Sequence, residues 1–277
     1  MIEFNRIRQR INEADAILIG ASNGFSISEG LNIFDDGLSF ENLLGDFKRN
    51  YGMRNILEGY FTHFETMEEY WGYISRLVSH YSGNYKGSEN TQALFELIGN
   101  KPYFFVTSNG ENHFELAGFD PDNIYEIEGG FKYMQCLQPC HLTLYPAIEK
   151  IKEMSKQEKD GKVPSYLVPY CPHCGKPMIL NAMVNSAFIP NEQQQERLQD
   201  FIQQYHDKKI VVLELGIGWR NQMIKKPLMD FVASAPLATY ITINKGEVYI
   251  PAAIQNKSYG LDGDLTQILK ALVYDKK

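Results

Sequence analysis

The chain of 277 residues is poor in cysteine, with only four, and it has no long apolar run. No stretch approaches the ~20 consecutive apolar residues that a membrane-spanning helix requires, so membrane insertion is not expected. The amino terminus lacks a basic segment followed by an apolar stretch and a small-residue cleavage site, so no secretory signal is visible. Internal repeats and low-complexity tracts are also absent. These absences predict a cytoplasmic protein.

Basic residues are in deficit, because 27 Lys and Arg stand against 34 Asp and Glu and give a formal charge of −7. Nucleic acid binding normally requires a basic face, so nucleic acid is not expected as the main ligand, although a local basic cleft remains open. The hydrophobic content of 44% is ordinary for a globular protein. The length suffices for one large core with a satellite module, or for two modest domains.

The four cysteines form two close pairs, spaced Cys-x3-Cys and Cys-x2-Cys. Thiolates contributed in pairs from short turns are typical of a closed structural zinc site, in which the metal stabilises a small module and does no chemistry. Two disulfides are the alternative, although nothing else in the chain indicates an oxidising compartment. His141 and His173 are alternative ligands, but four thiolates already fill a tetrahedral site. The predicted metal ligands are Cys136, Cys140, Cys171 and Cys174.

Short apolar runs alternate with helical patterns along most of the chain. Runs of this length predict buried parallel strands, and the alternation predicts an α/β fold with a doubly wound, Rossmann-like parallel sheet. The helix over 265–274 follows Asp264, a good helix-capping residue. The predicted strands are 16–19, 103–106, 124–127, 210–215 and 240–243, and the clearest predicted helices are 191–205, 221–233 and 265–274.

Two stretches interrupt this alternation and predict an inserted smaller module, part zinc ribbon and part helical. The first contains two helix-like segments rich in aromatic residues, and the second carries the cysteine pairs, a Lys-rich amphipathic segment and a polar loop. For the aromatic cluster Tyr60, Phe61, Phe64 and Trp71, core packing and a lid over a ligand are both open. The predicted boundaries are 1–38, 86–130 and 180–277 for the Rossmann-like domain, 39–85 for the helical insertion and 131–179 for the zinc-binding module.

Two glycine-containing loops follow predicted strands. The loop from Gly20 to Gly30 follows the first strand, and Gly216-Ile217-Gly218 follows the strand 210–215. Small residues let a backbone approach a phosphate, and a helix that starts there directs free N–H groups at an anion. Ligands of open α/β sheets bind outside the carboxyl ends of the strands, so two such loops predict a dinucleotide crevice. The alternative is that each loop merely turns the chain.

These pieces, in this order, resemble the sirtuin family. The loop Gly20 to Gly30 is similar to its NAD-binding loop, Thr107-Ser108-Asn109-Gly110-Glu111 to its Thr-Gln-Asn-Ile-Asp segment, and Glu126-Ile127-Glu128-Gly129 to its Glu-x-His-Gly segment. The cysteines fall where that family has its zinc. Leu213-Glu214-Leu215-Gly216-Ile217-Gly218 is among the segments that resemble, more narrowly, the macrodomain-linked sirtuins of bacteria. The resemblance covers nearly the whole chain.

For that branch the resemblance implies an NAD-dependent mono-ADP-ribosyltransferase, which moves ADP-ribose from NAD to a protein and releases nicotinamide. It implies lipoylated carrier proteins as the target class and a functional pairing with a macrodomain hydrolase. For Ser22 and Ser26, which would contact phosphate or ribose, the alternative is that Ser26 or Ser28 caps the following helix. The NAD-binding positions that follow from the loops and the resemblance are Gly20, Ala21, Ser22, Gly24, Ser26, Gly30, Ser108, Gly216, Gly218, Asn244 and Leu265.

The chain departs from the family at catalytic positions, because Glu128 replaces the histidine base of the deacylases and Glu111 replaces an aspartate, while Asn109 is retained. Cleavage of the nicotinamide–ribose bond develops positive charge on the ribose, and a carboxylate both stabilises that charge and accepts a proton from the acceptor. Glu128 is the candidate for this role, with Asn109 orienting the ribose or a water and Glu111 helping to position them. A solvated or ion-paired loop acid is the alternative for Glu128.

Three functions therefore remain open: the ADP-ribosyltransferase, an NAD-dependent deacylase that lacks its histidine, and a catalytically weak protein that only binds NAD or ADP-ribose. The segment 181–185 also lacks an arginine that the branch usually carries. For Asn244 a plain turn in Asn-Lys-Gly is an equal alternative. His113 is a tempting acid or base, but a helix-facing or surface position is favoured because the resemblance gives it no role.

Overall fold

The computed structural model describes residues 2–274 and consists of two sheets with their surrounding helices. The strands are β1 (Ala16–Ala21), β2 (Tyr103–Thr107), β3 (Ile124–Glu126), β4 (Gly129–Cys136), β5 (Tyr145–Pro146), β6 (Met178–Ala182), β7 (Ile210–Leu215), β8 (Thr239–Asn244) and β9 (Ser258–Asp262). The α-helices are α1 (Ile2–Asn12), α2 (Asn23–Ser28), α3 (Leu38–Tyr51), α4 (Met67–Ser82), α5 (Glu89–Ile98), α6 (His113–Leu116), α7 (Ile148–Gln157), α8 (Glu192–Tyr205), α9 (Gln222–Ser234) and α10 (Leu265–Tyr274).

The larger sheet has six parallel strands in the order β3-β2-β1-β7-β8-β9. Successive residues of β1 point to opposite faces, so that Ile17 and Ile19 pack on one hydrophobic core and Ala16 and Leu18 on another. Helices α1, α5 and α10 cover the first face, and α8 and α9 cover the second. The predicted doubly wound α/β fold is confirmed.

The predicted strands and the three predicted helices are confirmed to within two residues at each end. Asp264 accepts a hydrogen bond from the backbone N–H of Gln267 at 2.9 Å, as expected of the residue that caps α10. Strand β9 was not predicted, because it is short, contains Gly260 and has no apolar run. It forms because β8 leaves an edge free, against which Ser258 pairs with Tyr240.

The smaller sheet is antiparallel, in the order β5-β4-β6, and packs with α3, α4 and α7 around a separate hydrophobic core. Trp71 of α4 is fully buried in that core and donates a hydrogen bond to the Met178 carbonyl at 3.1 Å. Arg76 joins the surrounding helices, because it contacts Asp46 and Glu158 at 2.7 Å each. The two predicted helices of this region are confirmed, but its strands were not predicted. Within residues 2–274, no helix combines the length and apolar character needed to cross a bilayer.

Candidate active site

The two predicted glycine loops meet where the strand order of the large sheet reverses, between β1 and β7. The N–H of Gly24 donates to the carbonyl of Gly216 at 3.0 Å. A Cβ on Gly24 would lie 2.5 Å from the Gly216 oxygen, and a Cβ on Gly216 would lie 2.5 Å from the Gly24 carbonyl carbon. Glycine is therefore required at both positions so that the loops can touch, which places their backbones side by side at the crevice of the fold.

Replacing Gly216 by alanine is expected to destabilise the protein more than the same change at Gly246. Both residues have left-handed backbones, with φ of 61° and 76°, which costs an alanine about 1–2 kcal/mol. Only Gly216 adds a backbone clash, since a Cβ on Gly246 meets nothing within 4 Å. Urea unfolding of Gly216→Ala and Gly246→Ala measures the difference, and we expect a further loss of about 1–3 kcal/mol at Gly216. Equal losses would show that the loop contact is unimportant.

A cavity of about 290 Å³ lies between the carboxyl edge of the large sheet and the smaller module. All three predicted catalytic side chains, Asn109, Glu111 and Glu128, line it. The first two follow β2, and Glu128 lies in the connection from β3 to β4. The remaining walls combine polar residues from the sheet edge with apolar residues from the module; they include Ser26, Ser108, Leu57, Tyr60, Phe61, Phe131, Ala182, Met183 and Val184.

Asn109 lines this cavity, is only 5% exposed and is held by hydrogen bonds to the first glycine loop. Its Nδ2 donates to the Ser22 carbonyl at 3.1 Å and to Ser26 Oγ at 2.9 Å, and Ser26 Oγ in turn donates to the Glu111 carboxylate. Asn109 Oδ1 is buried without a hydrogen-bond partner among the described residues. A buried acceptor left unpaired is unfavourable, so this oxygen is available to a ligand hydroxyl or N–H group.

The cavity is acidic, because the described residues that line it include Glu111 and Glu128 but no Lys, Arg or His. Burial raises the pKa of Glu111, an effect that the nearby His113 and the Ser26 hydroxyl offset in part. Burial also raises the pKa of Glu128. Within residues 2–274 Glu128 takes part in no ion pair and is half-buried, so it is neither an ion-paired nor a fully solvated acid. A carboxylate whose pKa is raised by burial is a stronger proton acceptor than an ordinary exposed glutamate.

Three polar side chains tie the neighbouring strand ends together beside the cavity. Ser108 Oγ donates to Ser22 Oγ at 3.0 Å, and Asn221 Nδ2 donates to Ser22 Oγ at 3.1 Å and to Ser108 Oγ at 2.9 Å. Asn221 immediately precedes α9, where one turn later the fully buried Lys225 pairs with the equally buried Glu214 of β7. Sequence reasoning gave Asn221 no role, although its position after the second glycine loop was a usable signal.

The helix-capping alternative for Ser26 and Ser28 is wrong. Both lie inside α2, whose N-cap position is Ser22. Ser26 donates to Glu111, and Ser28 donates to the Phe25 carbonyl at 2.6 Å. The prediction that Ser22 and Ser26 contact a ligand stays a prediction, but both hydroxyls belong to the hydrogen-bond network at the edge of the cavity.

The other predicted NAD-binding positions lie at different depths. Gly20 and Ala21 are inside β1, where a Cβ on Gly20 would lie 2.3 Å from the Leu228 side chain, so this glycine makes room for α9. Asn244 Nδ2 donates to the Ile217 carbonyl at 3.1 Å and so holds the second glycine loop. Leu265 begins α10 and its side chain is buried. Exposed Gly30 follows α2 in the left-handed conformation, and half-buried Gly218 ends the second loop.

Two other expectations are resolved by burial. The aromatic cluster divides, because Trp71 and Phe64 are in the core whereas Tyr60 and the 64% exposed Phe61 line the cavity. Of the helix-facing or surface position favoured for His113, the surface part is wrong, since this residue begins α6 and is only 3% exposed. It does not line the cavity.

The four cysteine sulfurs lie within 4.8 Å of one another, and all four thiols are free. The Sγ atoms of Cys136 and Cys174 are 3.5 Å apart, and those of Cys140 and Cys171 are 3.6 Å apart. Zinc–thiolate bonds of about 2.3 Å in a tetrahedron place sulfurs about 3.8 Å apart, whereas a disulfide requires about 2.05 Å. The cluster therefore fits a zinc ion, and the two-disulfide alternative is wrong.

The two histidines beside the cysteines form an outer layer. His141 Nδ1 is 3.2 Å from Cys140 Sγ, and its Nε2 is 2.8 Å from the Tyr145 hydroxyl. The imidazole rings of His141 and His173 stack at 4.1 Å between centroids. Ring nitrogens that contact a ligand sulfur from outside orient the ligand without binding the metal.

Comparison with solved structures defines the class of fold. The chain matches the structure of Sir2Tm bound to a propionylated peptide with a TM-score of 0.60 at 16% identity, covering 99% of this chain and 98% of that one. It matches the crystal structure of a Sir2 homologue–NAD complex with a TM-score of 0.62 at 15% identity, covering 98% of this chain and 93% of that one. The fold is that of the sirtuins. No family model matches the chain.

Sequence comparison identifies the family. The chain is 30% identical over 270 residues to a protein ADP-ribosyltransferase of Staphylococcus aureus, covering 95% of this chain and 84% of that protein. It is 25% identical over 238 residues to a probable bifunctional ADP-ribose hydrolase/ADP-ribosyltransferase of Fusarium oxysporum f. sp. cubense, covering 81% of this chain and 39% of that longer protein. The chain belongs to the protein ADP-ribosyltransferase family.

Proposed function

We propose that this protein is an NAD-dependent mono-ADP-ribosyltransferase, which transfers ADP-ribose from NAD to a protein acceptor and releases nicotinamide. The observation that carries the proposal is the convergence of Asn109, Glu111 and Glu128 on one cavity at the carboxyl edge of a sirtuin sheet. The ADP-ribosyltransferase relative, aligned over 95% of the chain, supports the same reaction.

NAD is the proposed donor substrate, with its nicotinamide ribose in the cavity beside Asn109. The unpaired Oδ1 of Asn109 supports this placement, because a ribose hydroxyl would satisfy it. The pyrophosphate would lie against the first loop, near Ser22 and Ser26, in the crevice where dinucleotides bind in this class of sheet. The adenosine would extend along the ends of β7, β8 and β9, where Gly216 and Gly218 follow β7, Asn244 ends β8 and the backbone of Leu265 follows β9.

In the proposed reaction, the bond from the ribose C1′ to nicotinamide breaks and its electron pair leaves with neutral nicotinamide. The positive charge that develops on the ribose is stabilised by the carboxylate of Glu128. A bond then forms between C1′ and the acceptor nucleophile, whose proton passes to Glu128. The described residues that line the cavity include no Lys, Arg or His. No positive side chain there weakens the stabilisation of the ribose cation by the carboxylate of Glu128.

We assign the cysteine cluster to a structural zinc ion. Four thiolates would complete its coordination and leave no position for water, so the ion would hold the two knuckles together and supply no chemistry. The reacting groups are then those of the cavity alone.

For the acceptor, we propose a lipoylated carrier protein, and for the biological context a pairing with a macrodomain hydrolase, as in the macrodomain-linked sirtuins that the sequence resembles. A relative that combines ADP-ribose hydrolase and ADP-ribosyltransferase in its name supports the pairing. An apolar groove of about 340 Å³ adjoins the cavity and shares Tyr60, Phe61, Ala182 and Val184 with it, which supports an acceptor with an apolar arm.

Incubation with NAD labelled in its adenylate half, together with a carrier protein in lipoylated and plain forms, tests the function. We expect label on the carrier and stoichiometric release of nicotinamide, with more label on the lipoylated form. Release of an acyl-ADP-ribose from an acylated carrier would instead show a deacylase. Calorimetric binding of NAD without any turnover would show a binding protein and overturn the proposal.

A further inference from the structure

Behind the cavity wall lies a buried pair of ionisable side chains that the proposed reaction does not use. His113 Nδ1 is 2.8 Å from Glu29 Oε2, and both side chains are only 2% exposed. The Tyr85 ring stacks on the imidazole at 3.6 Å between centroids. Glu29 Oε1 accepts hydrogen bonds from the hydroxyls of Tyr85, at 2.9 Å, and of Ser88.

The partners of this pair define its protons. His113 Nε2 is 2.8 Å from the Tyr81 carbonyl, which can only accept, so Nε2 carries a hydrogen. Glu29 accepts two hydroxyl donors at Oε1, which favours the ionised carboxylate. An ionised Oε2 can only accept from Nδ1, so Nδ1 carries a hydrogen as well. These contacts together indicate an imidazolium paired with a carboxylate.

The imidazolium also faces the cavity wall. His113 Nδ1 lies 3.9 Å from Glu111 Oε1, the same oxygen that accepts from Ser26 Oγ. Ser26 accepts in turn from Asn109 Nδ2. The chain of contacts therefore runs from Glu29 through His113, Glu111 and Ser26 to Asn109, and its last three members line the cavity whereas Glu29 and His113 do not.

From this geometry we propose that the Glu29–His113 pair is a positioning device, in which His113 supplies the buried positive charge that keeps Glu111 ionised and held against Ser26. Burying two carboxylates so close together without a cation would be strongly unfavourable. The hydrogen bond from Ser26 and the charge of His113 both favour the ionised form of Glu111, which can only accept hydrogen bonds. This inference rests on the proposed function in one respect only, which is that the ligand of the cavity is NAD.

The ionisable groups around the pair decide how it responds to pH. Burial opposes the charge on His113, but the hydrogen bond to Glu29 and the charge of Glu111 outweigh it and raise the pKa of the imidazole. Burial, and to a lesser extent the negative charge of Glu111, also raises the pKa of Glu126, Tyr60 and Tyr81. Because the folded-state pKa of His113 is raised, its stabilising charge is fully present below pH ~6.5 and is lost as the pH rises through the raised value.

The state of His113 is measured on the intact, ligand-free protein, by NMR titration of histidine labelled with ¹³C at Cε1. Six histidines give six signals, and His113→Gln identifies the relevant one. We expect the pKa of His113 to lie above the ordinary ~6.5, and we expect it to fall in Glu29→Gln because the hydrogen bond to an ionised Glu29 is lost. Titration at or below 6.5 in both proteins would overturn the proposal, whether or not the protein is an enzyme.

The effect on the cavity is measured by the pH dependence of transfer in His113→Gln relative to the unmodified protein. Without the cation Glu111 is protonated over a wider range of pH, so we expect roughly a tenfold loss of kcat/KM on the acidic limb, which shrinks as the pH rises and Glu111 ionises in both proteins. A loss that is the same at every pH would indicate a merely structural role and contradict the proposal. If no turnover occurs at all, calorimetry with NAD across the same pH range gives the same comparison.

His206→Gln is the matched control, because His206 also pairs with a carboxylate, Asp207, at 2.7 Å, but on the protein surface. We expect it to leave the pH dependence unchanged. If His113→Gln does not fold, as judged by circular dichroism, Glu29→Gln decides the matter, since glutamine has the same length without the charge and its carbonyl oxygen still accepts from Tyr85 and Ser88. In Glu29→Gln, the activity relative to the unmodified protein should fall only at those pH values at which His113 of the variant has lost its proton.

Discussion

Replacing Glu128 by glutamine is expected to lower both nicotinamide release and ADP-ribosyl transfer by about 10²–10⁴-fold, the usual contribution of a general base. Glutamine has nearly the same shape but neither stabilises positive charge nor accepts a proton. Glu128 is half-buried at the cavity wall, and its backbone carbonyl accepts from the Met183 N–H at 2.8 Å, so the substitution leaves the local backbone bonds intact. The measurement is steady-state transfer with labelled NAD.

The pH profile gives a second expectation for the same residue. Burial raises the pKa of Glu128, and a base acts only when ionised, so the acidic limb of kcat/KM should lie above the ~4.3 of an ordinary glutamate. Activity should rise as the pH increases through that limb, and Glu128→Gln should lose it.

Glu126→Gln is the matched control for Glu128, because Glu126 lies two residues away at the end of β3 but faces a separate small cavity beside Lys132. We expect it to retain transfer, and we expect Glu128→Gln to retain NAD binding by calorimetry. Full activity in Glu128→Gln would remove this residue from the mechanism. Loss of NAD binding would show instead that the substitution disturbs the cavity.

Removal of zinc, by a chelator or by Cys171→Ser, is expected to unfold the knuckles and cause aggregation. Among the described residues, the small apolar cluster around the sulfurs consists of Cys136, Cys171 and Met178 with the partly buried Met134 and Tyr145, while Leu142 is 70% exposed, so little apolar burial stabilises this region. Structural zinc sites contribute on the order of 10 kcal/mol or more to folding, far above the stability of a small apolar cluster. Thermal melts by circular dichroism, with metal content from mass spectrometry, measure the effect.

His173→Ser is the control for zinc removal, since His173 lies in the same knuckle between Cys171 and Cys174 but supplies none of the four clustered sulfurs. It should retain both zinc and fold. A Cys171→Ser protein that stays soluble, folded and free of metal would contradict the structural assignment.

Loss of the proposed zinc should also abolish transfer, because the small sheet joins the cysteine cluster to the cavity. Strand β4 begins at Gly129, directly after Glu128, and ends at Cys136. One strand therefore positions the proposed base at one end and a proposed zinc ligand at the other. Strand β6, which follows the second knuckle, pairs with both ends of β4, at Gly129 and over Met134 to Cys136, with a shift in register between them. Chelation is therefore expected to reduce activity before the large sheet melts.

The sequence by itself determined the parts of the protein whose signal is local. Strands such as β1 and β7 are buried on both faces, so each appears as an uninterrupted apolar run. The spacing of the cysteines within each pair predicts their convergence, because short turns bring both thiols to one point. The glycine loops are visible since each directly follows such a strand.

Only the tertiary structure decided which distant residues meet. Gly24 touches Gly216, and Glu29 pairs with His113, although each pair is far apart in the sequence. Strand β9 has no pattern of its own and exists because β8 offers an edge. The physical reason is the same in each case: apolar periodicity and turn chemistry report the environment of a residue, whereas the partner of a buried charge or hydrogen bond depends on how separate segments pack.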